Sequence, residues 1–249
     1  YMLGAYVTLA VVTNVIDNFW VAAVVGALAV GVVGAAIEFS AIRPLYERVD
    51  AYLYQLIVTF GFVLIIHETV RFVWGSGSYS VEPPAVFDYS VALGGSSFGA
   101  YRLVVVGLAV AVLVTLWLFI TRTYFGSLVR GTSSDREMAS MLGVDVPRLY
   151  TIVFFLGSML AGLGGALSSP LQATSPALGD QVIIDAFIVV VIGGPGSISG
   201  AFVGAMLIGM MQSLGPQFIA PAVSRGRGSR YCRRGRTAGS YKHLRAHET

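Results

Sequence analysis

The chain has 249 residues, 55% hydrophobic and only 12% charged, with a mean hydropathy of +0.76. A soluble domain carries about twice that charge on its surface, so a soluble enzyme or binding module is excluded and a polytopic membrane protein is expected. The net charge of +3 averages two regions: residues 1–224 hold 8 Arg, no Lys and 12 acids, and residues 225–249 hold 7 Arg, 1 Lys and 1 acid. The basic balance therefore belongs to the tail and gives no ground for a nucleic-acid-binding domain.

Taken in chain order, apolar runs of membrane-spanning type fall at about 1–13, 19–37, 53–73, 101–121, 149–168 and 200–220, with a shorter piece at 183–192. The fold class expected is all-α: a transmembrane bundle of six to seven segments over 1–220, with a broken helix near 183–200. Loop 38–52 carries Arg43 and Arg48; loop 122–148 carries Arg122, Arg130, Arg136 and Arg148. The connections at 14–18, 74–100 and 169–182 carry no Lys or Arg. Two spans separate the basic loops, so both lie on one side, and the positive-inside rule makes that side cytoplasmic. Arg71 and Arg102 are exceptions at outer span ends, where a long cationic side chain reaches the interface. Small residues recur every fourth position at Ala27, Gly31, Ala35, at Gly157, Ala161, Gly165, and at Gly200, Gly204. Such stripes predict close helix packing in lipid.

The second basic loop contains a markedly polar stretch between long apolar runs, "GSLVRGTSSDREMASMLGVDVPRLY", 126–150. Ser134-Asp-Arg-Glu137 predicts a capping box with Ser134 as N-cap, and Gly143 a C-terminal stop. The helix between them, 135–142, would be about 12 Å long, with Met138, Met141 and Leu142 on one face and Arg136 and Ser140 elsewhere. An isolated helix of this length is marginal in water, so it must dock on the bundle or on a partner. Its two leading acids, Asp135 and Glu137, suit a protein groove better than anionic lipid.

"EMASMLG", 137–143, resembles the E-A-A-x-x-x-G core that permeases of ATP-binding-cassette (ABC) importers present to their ATPase subunits, with Met138 in place of the middle Ala and no I-x-L-P continuation. The whole string 126–150 is similar to its counterpart in branched-chain amino-acid permeases. "GGPGSISGAFVGAMLIG", 193–209, resembles that family's G-G-x-G-S-I-x-G-A motif. "EFSAIRPLYER", 38–48, resembles its R-P segment, closer to the H-type than the M-type member of the pair. The resemblance covers most of residues 1–215. It implies that 135–142 is a coupling helix, with Ser134, Asp135, Glu137, Met138, Ala139, Met141, Leu142 and Gly143 facing an ATPase. It also implies a second permease subunit, two cytoplasmic ATPases that use ATP and Mg, and an extracytoplasmic binding protein. The substrate class it implies is branched-chain or related amino acids.

The chain has no G-x-x-x-x-G-K-[ST] string. "GGPGSISG" lacks Lys and reads as a tight turn within the membrane, so no cofactor is expected on this chain. Unwound backbone at membrane depth is tolerated where it lines a cavity or packs in protein. The translocation path is therefore expected among residues 169–185 and the glycine turn: Gln172, Asp185, Gly193, Gly194, Gly196 and Ser197, with Gln55 and Thr59 as further candidates. His67 and Glu68 form an intramembrane polar pair of a kind that relays protons. Arg71, three residues from Glu68, favours a structural ion pair instead. A secondary transporter or channel driven by an ion gradient is the rival reading; it requires a buried coupling site and no cytoplasmic docking helix. No catalytic or metal-binding constellation suggests an intramembrane enzyme; His243 and His247, spaced i, i+4, and the single Cys232 all lie in the tail. After "SLGPQFIAPAVS" the family pattern continues into another span, whereas here a basic tail follows, 221–249 by the domain division. The expectation is a disordered or anomalous tail on an incomplete or frame-shifted member that also lacks its first segment.

Overall fold

Asn18, just before the second apolar run, starts that helix by accepting a hydrogen bond from the Trp20 amide at 3.1 Å through its side chain, the usual role of Asn at an N-cap. The computed structural model describes residues 1–14, 18–46, 51–79, 90–93, 96–194, 197 and 199–214. Arg48, Gly196 and the tail with Cys232, His243 and His247 lie outside the described residues. The order of elements is α1 (Met2–Asn14), α2 (Phe19–Ile37), α3 (Ala51–Trp74), β1 (Ser90–Leu93), β2 (Ser96–Gly99), α4 (Ala100–Arg122), α5 (Tyr124–Ser134), α6 (Arg136–Met141), α7 (Val146–Ser168) and α8 (Ala177–Gly193). A last helix, α9, covers Ser199–Leu214. The fold is an all-α helical membrane bundle, with one antiparallel hairpin pairing Ser90 with Gly99 through to Leu93 with Ser96.

Among the described residues, four helical stretches are long and apolar enough to cross a membrane: Phe19–Leu45, Leu53–Trp74, Ala100–Arg122 and Val146–Ser168. Of the other expected segments, 1–13 and the shorter piece at 183–192 fall in α1 and α8, and the span at 200–220 is described only as far as Leu214. At 1.5 Å per residue, α1 with 13 residues and α8 with 17 reach about 20 and 25 Å, short of the ~30 Å hydrocarbon core. Helix α8 starts at Ala177, six residues before the expected apolar piece, because its first turn holds Asp180 and Gln181, which lower the local hydropathy without breaking a helix.

The chain divides into two compact units, Tyr1–Ile184 and Asp185–Thr249. In the first, α1, α2 and α7 pack closely around a core of Met2, Tyr6, Leu9, Phe19, Ala23, Ala166 and Leu167, joined by Val70 of α3 and Tyr101 of α4. A Cβ on Gly34 would meet Ser158 Oγ at 2.1 Å, and one on Gly31 would meet Phe155 at 2.9 Å. The stripe on α2 thus packs as its spacing suggests. On α7 the contact falls on Gly162 and Gly165, whereas Gly157 faces open space; the four-residue spacing located the small residues but could not say which of them meets a neighbour.

The two ends of the first unit differ. At one end, Trp74, Tyr79 and Tyr6 stack together, and Tyr79 and Thr174 exchange backbone hydrogen bonds of 2.9 and 2.7 Å. The Tyr101 hydroxyl there donates to the Leu167 carbonyl at 2.8 Å. At the other end lie the turns after α2, the start of α7 and the short helix α6. Arg136 meets Tyr46 and Tyr150 at the second end, so the described parts of the two basic loops lie together there, as their separation by two spans requires.

In the second unit, the part of α8 from Asp185 onward and α9 form a helical hairpin. Gly194 has φ +78° and closes α8, its amide donating to the Val190 carbonyl at 2.9 Å. A Cβ on Gly200 would lie 2.0 Å from the Gly193 carbonyl oxygen, so the two helices touch backbone to backbone at the turn. The broken helix expected near 183–200 is present.

Candidate functional site

The polar loop builds a compact helical corner. Thr123 caps α5, accepting from the Gly126 amide at 3.2 Å, and the Gly126 backbone lies so close to Ile120 that a Cβ would be 2.0 Å from its carbonyl oxygen. Helix α5, which periodicity alone did not reveal, carries the chain to Ser134. There the expected capping box is corrected. Ser134 is the last residue of α5 and its hydroxyl donates back to the Arg130 carbonyl at 3.1 Å. Asp135 is the N-cap of α6, its carboxylate accepting from the Met138 amide at 2.9 Å. Once α5 is helical, Ser134 cannot take the extended backbone that an N-cap needs, and Asp135 at φ −150°, ψ 106° does. Such a cap contributes about 1 kcal/mol.

Helix α6 has six residues, Arg136–Met141, two fewer than expected. It closes on Gly143 at φ +85°, with Gly143 N–H donating to Ser140 O at 3.0 Å and Val144 N–H to Ala139 O at 3.1 Å. These are the two bonds of a Schellman motif, whose C′ position takes the left-handed conformation that glycine adopts without strain. Asp145 then caps α7 through the Arg148 amide at 3.2 Å, with Pro147 in the first turn.

The faces of α6 are unequal. Ala139 is buried against the bundle, whereas Met138, Met141 and Leu142 are 55%, 79% and 78% exposed. Three large apolar side chains on a capped, polar loop present a surface for a partner. Glu137 and Ser140 are exposed beside them. Arg136 turns the other way: its guanidinium lies over the rings of Tyr46 at 5.2 Å and Tyr150 at 5.6 Å.

Behind those rings is a group whose role sequence reasoning missed. Glu38, at the π-helical turn that ends α2 (Glu38–Ile42), is fully buried. Its Oε1 accepts from the Tyr46 hydroxyl at 2.8 Å and its Oε2 from the Thr151 hydroxyl at 2.5 Å. Burial, followed by the bond to Glu38, pushes the Tyr46 phenol well above its ordinary value. The available signal was a lone acid closing a 19-residue uncharged run, with a tyrosine eight residues later.

The expected path residues separate into sets. Thr59 returns its hydroxyl to the Gln55 carbonyl at 2.8 Å, so the two share one turn near the start of α3. Gln172 is exposed in the connection after α7, at the opposite end. In the second unit, Asp185 accepts from Gln212 Nε2 at 2.8 Å, a partner on α9 that sequence reasoning did not name. Ser197 Oγ accepts from the Gly200 amide at 3.0 Å beside Gly193 and Gly194. Glu68 pairs with Arg71 at 3.3 Å, the structural ion pair expected, and His67 sits 3.9 Å from Asp180.

The chain is thus a multi-pass helical membrane bundle whose short helix α6 exposes three apolar side chains on a polar loop. A family profile described as "Branched-chain amino acid transport system / permease component" matches residues 1–226, and the chain belongs to that family. It is an importer permease of the ABC class, a multi-pass transport subunit of the cytoplasmic membrane. It is 26% identical over 232 residues to the high-affinity branched-chain amino acid transport system permease protein LivH of Salmonella typhimurium, covering 88% of this chain and 75% of the relative. A probable branched-chain amino acid transport permease LivH of Methanocaldococcus jannaschii is 29% identical over 205 residues, 79% of this chain and 63% of that protein. The fructose import permease FrcC of Rhizobium meliloti is 31% identical over 170 residues, 66% and 45% of the two chains. No solved structure matches the chain.

Proposed function

We propose that this permease imports branched-chain or related amino acids, powered by two separate cytoplasmic ATPase subunits and supplied by an extracytoplasmic binding protein, with a second permease subunit completing the pore. The observation that carries the ATPase assignment is α6: a helix fixed at both ends by Asp135 and Gly143, buried through Ala139, and exposing Met138, Met141 and Leu142 on the basic side. An apolar knob on a capped lever fits a cleft in a soluble partner. ATP-driven closure of that partner would displace the lever and the helices behind it. The amino-acid substrate is supported by the family profile and by relatives such as LivH; the sugar permeases stand further off in coverage of this chain. Residues 1–220 form the transporting domain in this reading, with 221–249 outside it.

The test is uptake in proteoliposomes holding the permeases, ATPases and binding protein. Leucine accumulation is expected to require internal ATP, to survive a protonophore, and to resist competition by ribose and fructose. Accumulation driven by an ion gradient without ATP would establish the secondary-transporter reading instead.

The path is assigned to Gln55, Thr59 and Gln172 in the first unit and to Asp185, Gly193, Gly194, Gly196 and Ser197 in the second. Support comes from Asp185, a half-buried carboxylate held by Gln212 within an otherwise apolar hairpin. Ionisable groups in such segments mark substrate pathways. In a Cys232→Ser background, Asp185→Cys and Ser197→Cys are each expected to react with a membrane-impermeant thiol reagent in at least one nucleotide state. Complete protection in every state would place the path elsewhere.

A further inference from the structure

We propose that Arg136, Tyr46 and Glu38 are positioning residues that transmit displacement of α6 to the α2–α7 pair. The proposal rests on the reading of α6 as the ATPase-facing lever. Three links make the connection continuous. Arg136 is the first residue of α6, and its guanidinium covers both Tyr46 and Tyr150, which meet edge to face at 5.4 Å. Tyr46 and Thr151 then hold the two oxygens of Glu38 at 2.8 and 2.5 Å. Tyr150 and Thr151 are adjacent, so α7 supplies both a ring to the arginine and a hydroxyl to the carboxylate.

Each residue type suits its place. A guanidinium is planar and stacks on aromatic faces, which an ammonium does not do equally well. A buried carboxylate is tolerated where directional hydrogen bonds satisfy it, and charge-assisted bonds are the strong ones. Glu38 therefore fixes the Tyr46 ring in azimuth as well as distance. It does so at the end of the most closely packed helix pair, where Gly31 and Gly34 bring α2 against Phe155 and Ser158 of α7. A push on Arg136 thus reaches two helices that move together. The rings also have room to respond: a groove of about 470 Å³ runs from Tyr46 and Tyr150 past Val153 and Phe154 to Gly157 and Ser158.

The experiment uses the complete transporter with its ATPases and binding protein, comparing wild type with Arg136→Ala, Arg136→Lys, Tyr46→Phe and the double variant Arg136→Ala/Tyr46→Phe. Co-purification of the ATPases is expected to stay at the wild-type level. Binding-protein-stimulated ATP hydrolysis and leucine uptake are expected to fall about two- to fivefold in Arg136→Ala, the scale of one exposed cation–π contact. Arg136→Lys should fail to restore them. Tyr46→Phe should cost less, and the double variant should be no worse than Arg136→Ala, since both break one series of contacts. Wild-type stimulation in Arg136→Ala, or effects that multiply independently in the double variant, would overturn the relay. Loss of ATPase co-purification in Arg136→Ala would make it an interface residue and overturn the positioning role. Met141→Asp separates the two readings. If it sheds the ATPases while Arg136→Ala behaves as wild type, the lever stands and the relay falls; if it keeps the ATPases and full uptake, both fall.

Discussion

Gly4→Ala is expected to loosen or prevent assembly of the bundle, although it adds a single methyl group. A Cβ at position 4 would stand 2.2 Å from the Gly162 carbonyl oxygen and 2.6 Å from its Cα. Both are backbone atoms, so no side-chain rotation relieves the clash and α1 must move away from α7. Gly162 is equally tight toward α2, where its own Cβ would meet Val30 Cβ at 2.8 Å and Ala27 Cα at 3.2 Å. In lipid the association of helices rests on van der Waals contact between close backbones, so separating them removes the main attraction. Overpacking costs about 1–3 kcal/mol, which at the ~2–4 °C per kcal/mol of a domain this size lowers the melting temperature by about 2–12 °C. Gly162→Leu, wedged between α1 and α2, should give no monodisperse protein. Gly157→Ala is the control, since nothing lies within 4 Å of the added atom and alanine favours the helix by about 1 kcal/mol. Melting of the detergent-solubilised protein, followed by size-exclusion chromatography, reads all three. Equal melting of Gly4→Ala and Gly157→Ala would mean that the close crossing does not hold the bundle together.

Met141→Asp is expected to abolish ATP-driven uptake while leaving the permease in the membrane at its usual level. Met141 is 79% exposed, so the folded chain loses almost no internal contact when it changes. In the proposed complex the same side chain is buried in an ATPase cleft, where removing it forfeits about 1.5–3 kcal/mol of apolar burial. The new carboxylate adds the cost of burying an unpaired charge. Together these weaken the contact by at least about 100-fold, at 1.4 kcal/mol per factor of ten. Gly143→Pro should act by a different route: its ring fixes φ near −65°, against the +85° found there, and removes the amide that bonds to Ser140. The lever would lose its C-terminal stop with its apolar knob intact. Pull-down of the ATPases and ATP-dependent uptake in vesicles separate the two effects. Normal uptake by both variants would remove α6 from the coupling interface.

Much of the fold was legible because lipid imposes a simple condition. Backbone groups must be satisfied within each segment, so helices of spanning length follow directly from long apolar runs such as 19–37 and 101–121. The Glu68–Arg71 pair was legible from its three-residue spacing. Gly143 was legible as a stop because few other residues take its conformation. Legibility failed where local signals compete. Ser134 and Asp135 are both good N-caps, and the choice fell to Asp135 only because α5 extends through Ser134. Helix α8 hid its start behind Asp180 and Gln181, polar residues that a hydropathy reading places in a loop.

The amino-acid sequence by itself determined the class of protein, the number and order of its main helices, and the position of a short polar helix with an apolar face. These follow from composition, periodicity and caps, each a property of neighbouring residues. Only the tertiary structure decided which glycines carry the helix crossings and which way Arg136 turns. It alone joined Glu38 to Thr151, 113 positions away. The physical reason is that a hydrogen bond or close backbone contact between distant segments depends on where the whole chain places both partners, and no local pattern encodes that distance. Buried Glu38 is the clearest case: in sequence it is the first acid after an apolar run, and in the folded chain it ties α2 to α7.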